Sequence, residues 1–557
     1  MKRTTFLILI TFFILLLVGC DASSNNIDNG AIDTSIYKEQ DQMLTDRDLI
    51  VDYDGESIIS ISLLGTYIES SEHVEIIDRT VKISKAGYYL VTGSLDDGMI
   101  VVDATKTAKI QIILRDVSIN HNSSAPIYIK SCNKCFITLE GENSLETKNS
   151  FVAIDENNID GVIFSKDDLT INGSGTLNLV SPKNGIVCKD DLVISNSFIE
   201  ISARNHGIDV NNSARFAYCS LEINAANDGV HAENAEDTEK GYIYLLGPNV
   251  KINSSGDGLD ASAYVQIEDC QLGIETTSSE NSTKGIKAET GILLNSGKLN
   301  ISSHDDGLHS NGSIIINNTE LVVSSDDDGI HADETIEIYG GKIDIIKSYE
   351  GIEALNIKLL GGNINIKASD DGINAAGGND QSGFGGQFGG QDNFGRPGGR
   401  PGGMGGMGGM GGFDSSNGSV IISGGKLYIN ASGDGIDANG TLEISGGYVT
   451  VCGPTTGDTA VLDYDVSGTI SGGTFVGTGA SMMAQTLSSS TQGVISLSVG
   501  TQYAGTKITL ENSEGKILFE VVPENNFQIV ILTSDMMTKG EYYTVHVGEL
   551  SGTFAAE

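Results

Sequence analysis

The chain has no tryptophan, only 7 prolines in 557 residues, and 33 basic residues against 74 acidic ones. Each shortage excludes something. A formal charge of −41 leaves no basic surface for nucleic acid or for an anionic membrane, both of which are held by lysine and arginine. Apolar residues at i, i+3, i+4 and i+7 do not recur at any regular interval along the chain, so helical-repeat solenoids and coiled coils are out. Seven cysteines are too few for a disulfide-stapled scaffold of this length. Cys132-Asn-Lys-Cys135 has no second Cys/His pair to complete a tetrahedral zinc shell. Cys219 and Cys270 both lie twelve residues after a repeat glycine and read as small residues stacked two coils apart.

Glycine is abundant, at 71 residues, among Ile, Val, Thr, Ser and Asn, which is strand-and-turn composition. Eleven glycines head a recurring segment, usually Asp-Gly-(Ile/Leu/Val): Gly161, Gly185, Gly207, Gly229, Gly258, Gly285, Gly307, Gly329, Gly351, Gly372 and Gly435, with six of the ten intervals 21 or 22 residues long. Apolar residues recur at positions 7, 9, 14 and 16 after the glycine in the regular coils, as in Leu192, Ile194, Ile199 and Ile201 after Gly185. Two period-two pairs separated by a turn predict two short strands facing one core. Gly340-Gly341, Gly361-Gly362 and Gly446-Gly447 mark that turn, where a bend needs positive φ. The Asp-Gly-Ile-x-Ala segment supplies a third strand. Three strands per coil closing on an aliphatic interior is a parallel β-helix, an all-β solenoid.

Three longer intervals keep the core pattern and carry insertions at 233–241, 275–283 and 377–417. Deleting the last, 41 residues of Gly, Gln, Phe and Met, restores a 22-residue coil. All three flank the Asp-Gly strand, and insertions in solenoids collect on the binding face. Residues 46–160 are expected to form an N-terminal cap and irregular coils, 161–480 the β-helix, and 481–557 a small C-terminal β cap or domain. The first twenty residues have a Lys2-Arg3 head, an apolar run from Phe6 to Val18, and Leu17-Val18-Gly19-Cys20, which resembles a bacterial lipoprotein cleavage box. The run of thirteen residues is shorter than the roughly 20 a spanning helix needs. Residues 1–20 are therefore expected to be a lipoprotein signal peptide, Cys20 the lipidated first residue, and 21–45 a flexible tether.

The residue before the repeat glycine is Asp228, Asp257, Lys284, Asp306, Asp328, Glu350, Asp371 and Asp434 in consecutive coils; two positions after it stand Asp209, His231, Asp260, Lys287, His309, His331, Glu353, Asn374 and Asp437. Coils of a β-helix are about 4.8 Å apart. Two carboxylates at that distance repel by about 0.9 kcal/mol in water and about 3.5 kcal/mol at an effective dielectric near 20. Calcium relieves such repulsion, because it takes six to eight oxygens at a tolerant geometry. The alternative is a set of solvated turn residues, but Asp305-Asp306, Asp326-Asp327-Asp328 and Asp370-Asp371 exceed what a turn requires. His309 and His331 read as surface hydrogen-bonding residues rather than ligands.

The Asp-Asp-Gly-Ile-His-Ala and Ile-x-Gly-Gly-x-Ile-x-Ile patterns, the segments Ala86–Gly93 and Ser124–Tyr128, and the late Gly/Met-rich insertion together resemble the clostridial surface-associated carbohydrate-binding β-helix family, whose fold is similar to that of calcium-dependent pectate lyases. The resemblance spans roughly residues 50 to 480. It implies a right-handed parallel β-helix with several calcium ions in the Asp-Gly coils and adhesion to plant cell-wall polysaccharide, cellulose and pectin included. It carries over to Asp257, Asp306, Asp328, Asp371 and Asp434 as calcium ligands, to which the reading of the files adds Asp228, Asp260, Asp305, Asp327, Glu350, Asp370 and Asp437. The expected protein is a monomeric, lipid-anchored surface lipoprotein that binds without catalysis. A calcium-dependent polysaccharide lyase is the rival, with Lys284 or Lys287 as base, although flanking carboxylates raise a lysine's pKa where a base needs it lowered. A structural adhesin is the third reading. Tyr264, Tyr339, Tyr349, Phe384 and Phe388 form no aromatic stripe.

Overall fold

The computed structural model describes residues 32–53, 56–71, 74–278, 282–376, 417–457 and 459–557. The chain divides into two units, Met1–Thr34 and Ser35–Glu557. The expected signal peptide, Cys20, the start of the tether and nearly all of the 377–417 insertion lie outside the described residues.

The repeat folds as one solenoid coil. Around and after Gly185 the chain runs through Asn184–Cys188, Asp191–Ser195 and Phe198–Ala203, and each strand pairs in parallel with its equivalent one coil on, at Val187↔Asp209, Leu192↔Ala214 and Ile199↔Leu221. Repeated over about sixteen turns, these pairings make three long parallel faces. The first carries the Asp-Gly strands, and the second and third follow in chain order. Leu192, Ile194, Ile199 and Ile201 are at most 1 % exposed, so the positions 7, 9, 14 and 16 after the glycine all line the interior.

Space, not backbone conformation, demands the repeat glycine. A Cβ on Gly229 would lie 2.4 Å from Ile252 Cγ2 and 2.6 Å from the Gly258 carbonyl oxygen, and equivalent contacts recur at Gly258, Gly285 and Gly307. The second glycine of each Gly-Gly pair does need its freedom: Gly341, Gly362 and Gly447 have φ of +90, +90 and +83°. At the same corner of earlier coils Asn196, Tyr218 and Asp269 adopt φ of 50–52°, a conformation that Asn and Asp tolerate best.

The solenoid is closed at both ends by antiparallel pairing. Ile58–Gly65 folds back on Ile68–Ser70 and Glu75–Ile77 on Thr80–Ile83 at the start. At the other end Phe527–Ser534 pairs antiparallel with the last third-face strand, Thr474–Gly479, and with Val494–Gln502. A separate antiparallel sheet of Ile508–Glu511, Ile517–Val521, Tyr542–Val547 and Leu550–Ala555 follows, packed around Leu510, Phe519, Tyr543 and Val545.

Part of the expected tether is not free. From Ile36 to Leu49 the chain forms a strap over the outside of the second face, built on two four-residue helices, Gln40–Met43 and Asp46–Leu49. Lys38 exchanges backbone hydrogen bonds with the Gln266 side chain at 3.2 and 3.0 Å, Arg215 donates to the Met43 carbonyl at 2.7 Å, and Arg47 lies over the Phe136 ring. Met43 is fully buried, and Tyr37 packs edge-on against Tyr264, which stacks flat on Tyr242. Asp48, 1 % exposed, accepts from Lys134 at 2.7 Å and from Thr170 and Thr45 at 2.6 Å. Among the described residues no helix is long and apolar enough to cross a membrane.

Candidate functional site

On the short first-face strands, such as Val230–Ala232 and Leu308–Ser310, the two end residues point into the core and the middle one points out. Register stacks those middle residues into one file: Asp209, His231, Asp260, Lys287, His309, His331, Glu353, Asn374, Asp437 and Asp463, each opposite the next. A second file runs beside it, formed by the residue before each glycine. From Asp228 to Asp434 the carbonyls of this file accept the glycine N–H of the preceding coil at 2.9–3.0 Å. The two series that spacing predicted are therefore contiguous.

The aspartates of this second file have a structural role that spacing did not reveal. Asp228 Oδ1 accepts the Asp257 N–H at 2.8 Å, Asp257 Oδ1 the Lys284 N–H at 2.7 Å, Asp306 Oδ1 the Asp328 N–H at 3.0 Å, and Asp371 Oδ1 the Asp434 N–H at 2.5 Å. Each such carboxylate caps the backbone of the next coil with Oδ1, while Oδ2 of Asp228, Asp257 and Asp306 faces His206, Lys287 and His309. His206 stands in the same file one coil earlier, a position not singled out from the sequence.

Charge divides the files into two zones. In the middle coils cations are interleaved with acids. Lys284 Nζ lies 2.9 Å from Asp305 and 3.7 Å from Asp306, and Lys287 3.5 Å from Asp260 and 3.9 Å from Asp257. Burial alone would lower the pKa of both lysines, but these carboxylates outweigh it and hold them protonated. Asp306 is likewise held low, against its burial, by His309 and Lys284. Asp326 is turned to the surface, paired with His304 and Lys347.

Beyond His331 neither file holds a basic residue: Glu350, Asp371 and Asp434 stand in one, Glu353, Asn374, Asp437 and Asp463 in the other. Burial and the neighbouring Asp434 push Asp371 up to about 8. Burial with Asp434 and Asp463 brings Asp437 to about 7. Asp327 reaches about 7 through burial and the charges of Asp306 and Asp305, and Asp257 about 7 through burial and Asp260. Burial pushes Asp328 well above the usual carboxylate range. Asp370 stays at the rim, bonded to the Tyr349 hydroxyl.

Two features are not evident from the repeat spacing. Lys166-Asp167-Asp168-Leu169 and Lys189-Asp190-Asp191-Leu192 are the same tetrapeptide one coil apart, and the structure gathers Asp168, Asp190 and Asp191 at the corner between first and second faces. Burial and the other two acids raise Asp168 to about 6. The second is a cleft of about 310 Å³ over the first coils of the file, where Lys183 pairs with Asp160 at 2.7 Å and Lys189 with Asp209 at 3.4 Å, beside His206, His231 and Glu233. Cys132 and Cys135, by contrast, are buried in the apolar core, consistent with packing and not with zinc.

The two files make a continuous polar face along the coils of an all-β solenoid. The model of the carbohydrate-binding domain-containing protein family matches residues 77–329 and 311–452, more than half of the chain, and the chain belongs to this family. It is 32 % identical over 223 residues to a carbohydrate-binding domain-containing protein of Acetivibrio thermocellus, an alignment covering 39 % of this chain and 78 % of that protein. A solved structure titled as a polysaccharide lyase-like protein from C. thermocellum, a gadolinium derivative, is 30 % identical with a TM-score of 0.39, covering 42 % of this chain and 96 % of that one.

Proposed function

We propose that the protein is a non-catalytic surface lipoprotein that binds acidic plant cell-wall polysaccharide of the pectin type through calcium ions on the first face. One observation carries the reading. From Glu350 to Asp463 the acidic files run coil upon coil with no basic residue in either file, and burial with mutual repulsion drives Asp371 and Asp437 toward protonation. Carboxylates so placed need a cation, and an all-oxygen donor set suits a hard ion of calcium's size. Asp371, Asp434 and Asp437 would hold it, with Asp370 and Asp463 at the edge, and calcium there would join protein carboxylates to those of a uronate chain.

Absence of catalysis is supported by the state of the two lysines. An amine held protonated between carboxylates takes up no proton from a sugar. A glycan array probed with and without calcium tests the ligand, with retention of polygalacturonate only in calcium expected. Ultraviolet absorbance of unsaturated product on the same polymer tests catalysis; product that vanishes in Lys284→Ala or Lys287→Ala makes the protein a lyase. Fatty-acid labelling lost in Cys20→Ser is the expected signature of the anchor.

A further inference from the structure

The histidines of the outer file share an arrangement that the calcium reading does not use. His231, His309 and His331 each direct Nε2 to an acceptor two residues along: Glu233 at 3.3 Å, Asn311 at 3.0 Å and Asp333 at 3.3 Å. Each turns Nδ1 inward onto carboxylate oxygen. His309 Nδ1 lies 2.7 Å from Asp306 Oδ2, and His331 Nδ1 lies 3.1 Å from Asp328 Oδ2 and 2.6 Å from Glu353 Oε2. A neutral ring that donates through Nε2 has its Nδ1 lone pair facing those oxygens, and two lone pairs at such distances repel unless a positive charge sits between them. An outer acceptor that fixes the tautomer of an inward-facing imidazole is also the usual support of a metal-ligating histidine.

Geometry separates a metal from a mere proton at one place. The donor atoms of Asp306, His309 and His331 all lie within 4.8 Å of one another, as do those of Asp328, His331 and Glu353. His331 thus joins two triads into one pocket, over which the rings of His309 and His331 stack at 4.9 Å. Glu353 is 3 % exposed, and its Oε1 is buried without a hydrogen-bond partner. A proton on His331 satisfies Oε2 alone, whereas an ion with bonds of about 2.1 Å, whose neighbouring ligands stand roughly 3 Å apart, can engage several of these atoms.

We propose that His331, with His309, Asp306, Asp328 and Glu353, forms a site for a borderline divalent transition-metal ion of the zinc type. Imidazole nitrogen selects such ions over calcium, which takes oxygen ligands. The site shares no residue with the all-acid coils at Asp371 and Asp437 that carry the proposed function, but it claims for a nitrogen-bound ion Asp306 and Asp328, two of the calcium ligands that the resemblance implied. The experiment uses the full chain with zinc alone and with cobalt(II) alone as probes. Zinc is expected to raise the melting temperature, and cobalt to give visible absorption bands of a nitrogen-bound ion. His331→Gln should weaken zinc binding by about 100-fold and remove the bands, while circular dichroism shows the fold retained. Glu353→Gln, which keeps the shape, should weaken zinc without unfolding. Absence of both signals in the wild-type chain overturns the proposal, as do bands that persist in His331→Gln or that are lost in the surface variant His304→Gln instead.

Discussion

At the scale of single residues, the repeat glycine and Asp48 show how narrowly the solenoid is fitted. A Cβ at Gly307 would lie 2.3 Å from Val323 Cγ1 and 2.6 Å from the Gly329 carbonyl oxygen. Gly307→Ala is therefore expected to cost about 1–3 kcal/mol, the usual range for overpacking. Gly273, with nothing within 4 Å of its added Cβ, is the control: Gly273→Ala should leave denaturant unfolding close to wild type. Asp48 is a second case. Burial pushes it up, but the charge of Lys134 and the hydrogen bonds from Lys134, Thr170 and Thr45 prevail and hold it down to about 2 against an ordinary 3.8. A folded-state pKa below the unfolded one stabilises above the unfolded value, and the benefit is lost as pH falls from about 4 to about 2. Asp48→Asn should thus cost on the order of 2 kcal/mol at pH 7, and the gap between variant and wild-type melting should close as the pH approaches 2.

At the scale of elements, the coil was legible because its signal is written many times. Leu192, Ile194, Ile199 and Ile201 repeat their spacing through the chain, and period-two pairs around a Gly-Gly bend admit one local structure. The strap from Ile36 to Leu49 was not legible. Its helices are four residues each, too short for any periodicity, and its partners, Phe136, Thr170, Arg215 and Gln266, lie far off in sequence. The candidate site divides in the same way. Stacking of the two files followed from spacing, whereas capping of the next coil's amide by Asp228, Asp257, Asp306 and Asp371 did not, because it depends on side-chain direction across coils. The doubled Lys-Asp-Asp-Leu at 166–169 and 189–192 was readable as a repeat, but it lies outside the Asp-Gly frame. Ala375 and Ser419 flank the glycine-rich insertion, and each strand they belong to is already paired with its neighbouring coils, at Ala375↔Ala438 and Ser419↔Thr441. Deleting 377–417, which restores a 22-residue coil, is expected to leave cooperative thermal unfolding intact; loss of cooperativity would show that the segment packs on the solenoid.

At the scale of the whole molecule, the two charge zones make the first face a surface of graded character. Its middle coils carry Lys284, Lys287 and the histidines among their acids, and its later coils hold no basic residue in either file. A chain with a formal charge of −41 can meet an acidic polymer only where that charge is offset. The asymmetry predicts that calcium stabilises the later coils most: Asp371→Asn with Asp437→Asn should raise melting temperature in chelator, by removing repulsion, and abolish most of the calcium increment. The amide side chain introduced by Asp371→Asn still offers an oxygen to cap the Asp434 N–H, so the substitution removes charge without removing the cap.

The most direct test is isothermal titration of polygalacturonate into the full chain in calcium, in chelator, and in calcium with Asp371→Asn/Asp437→Asn. Binding in calcium that disappears in chelator and is weakened at least tenfold in the double variant is the predicted result. Equal affinity in all three experiments would contradict the account, because the polymer would then be held by something other than a cation on the acidic coils.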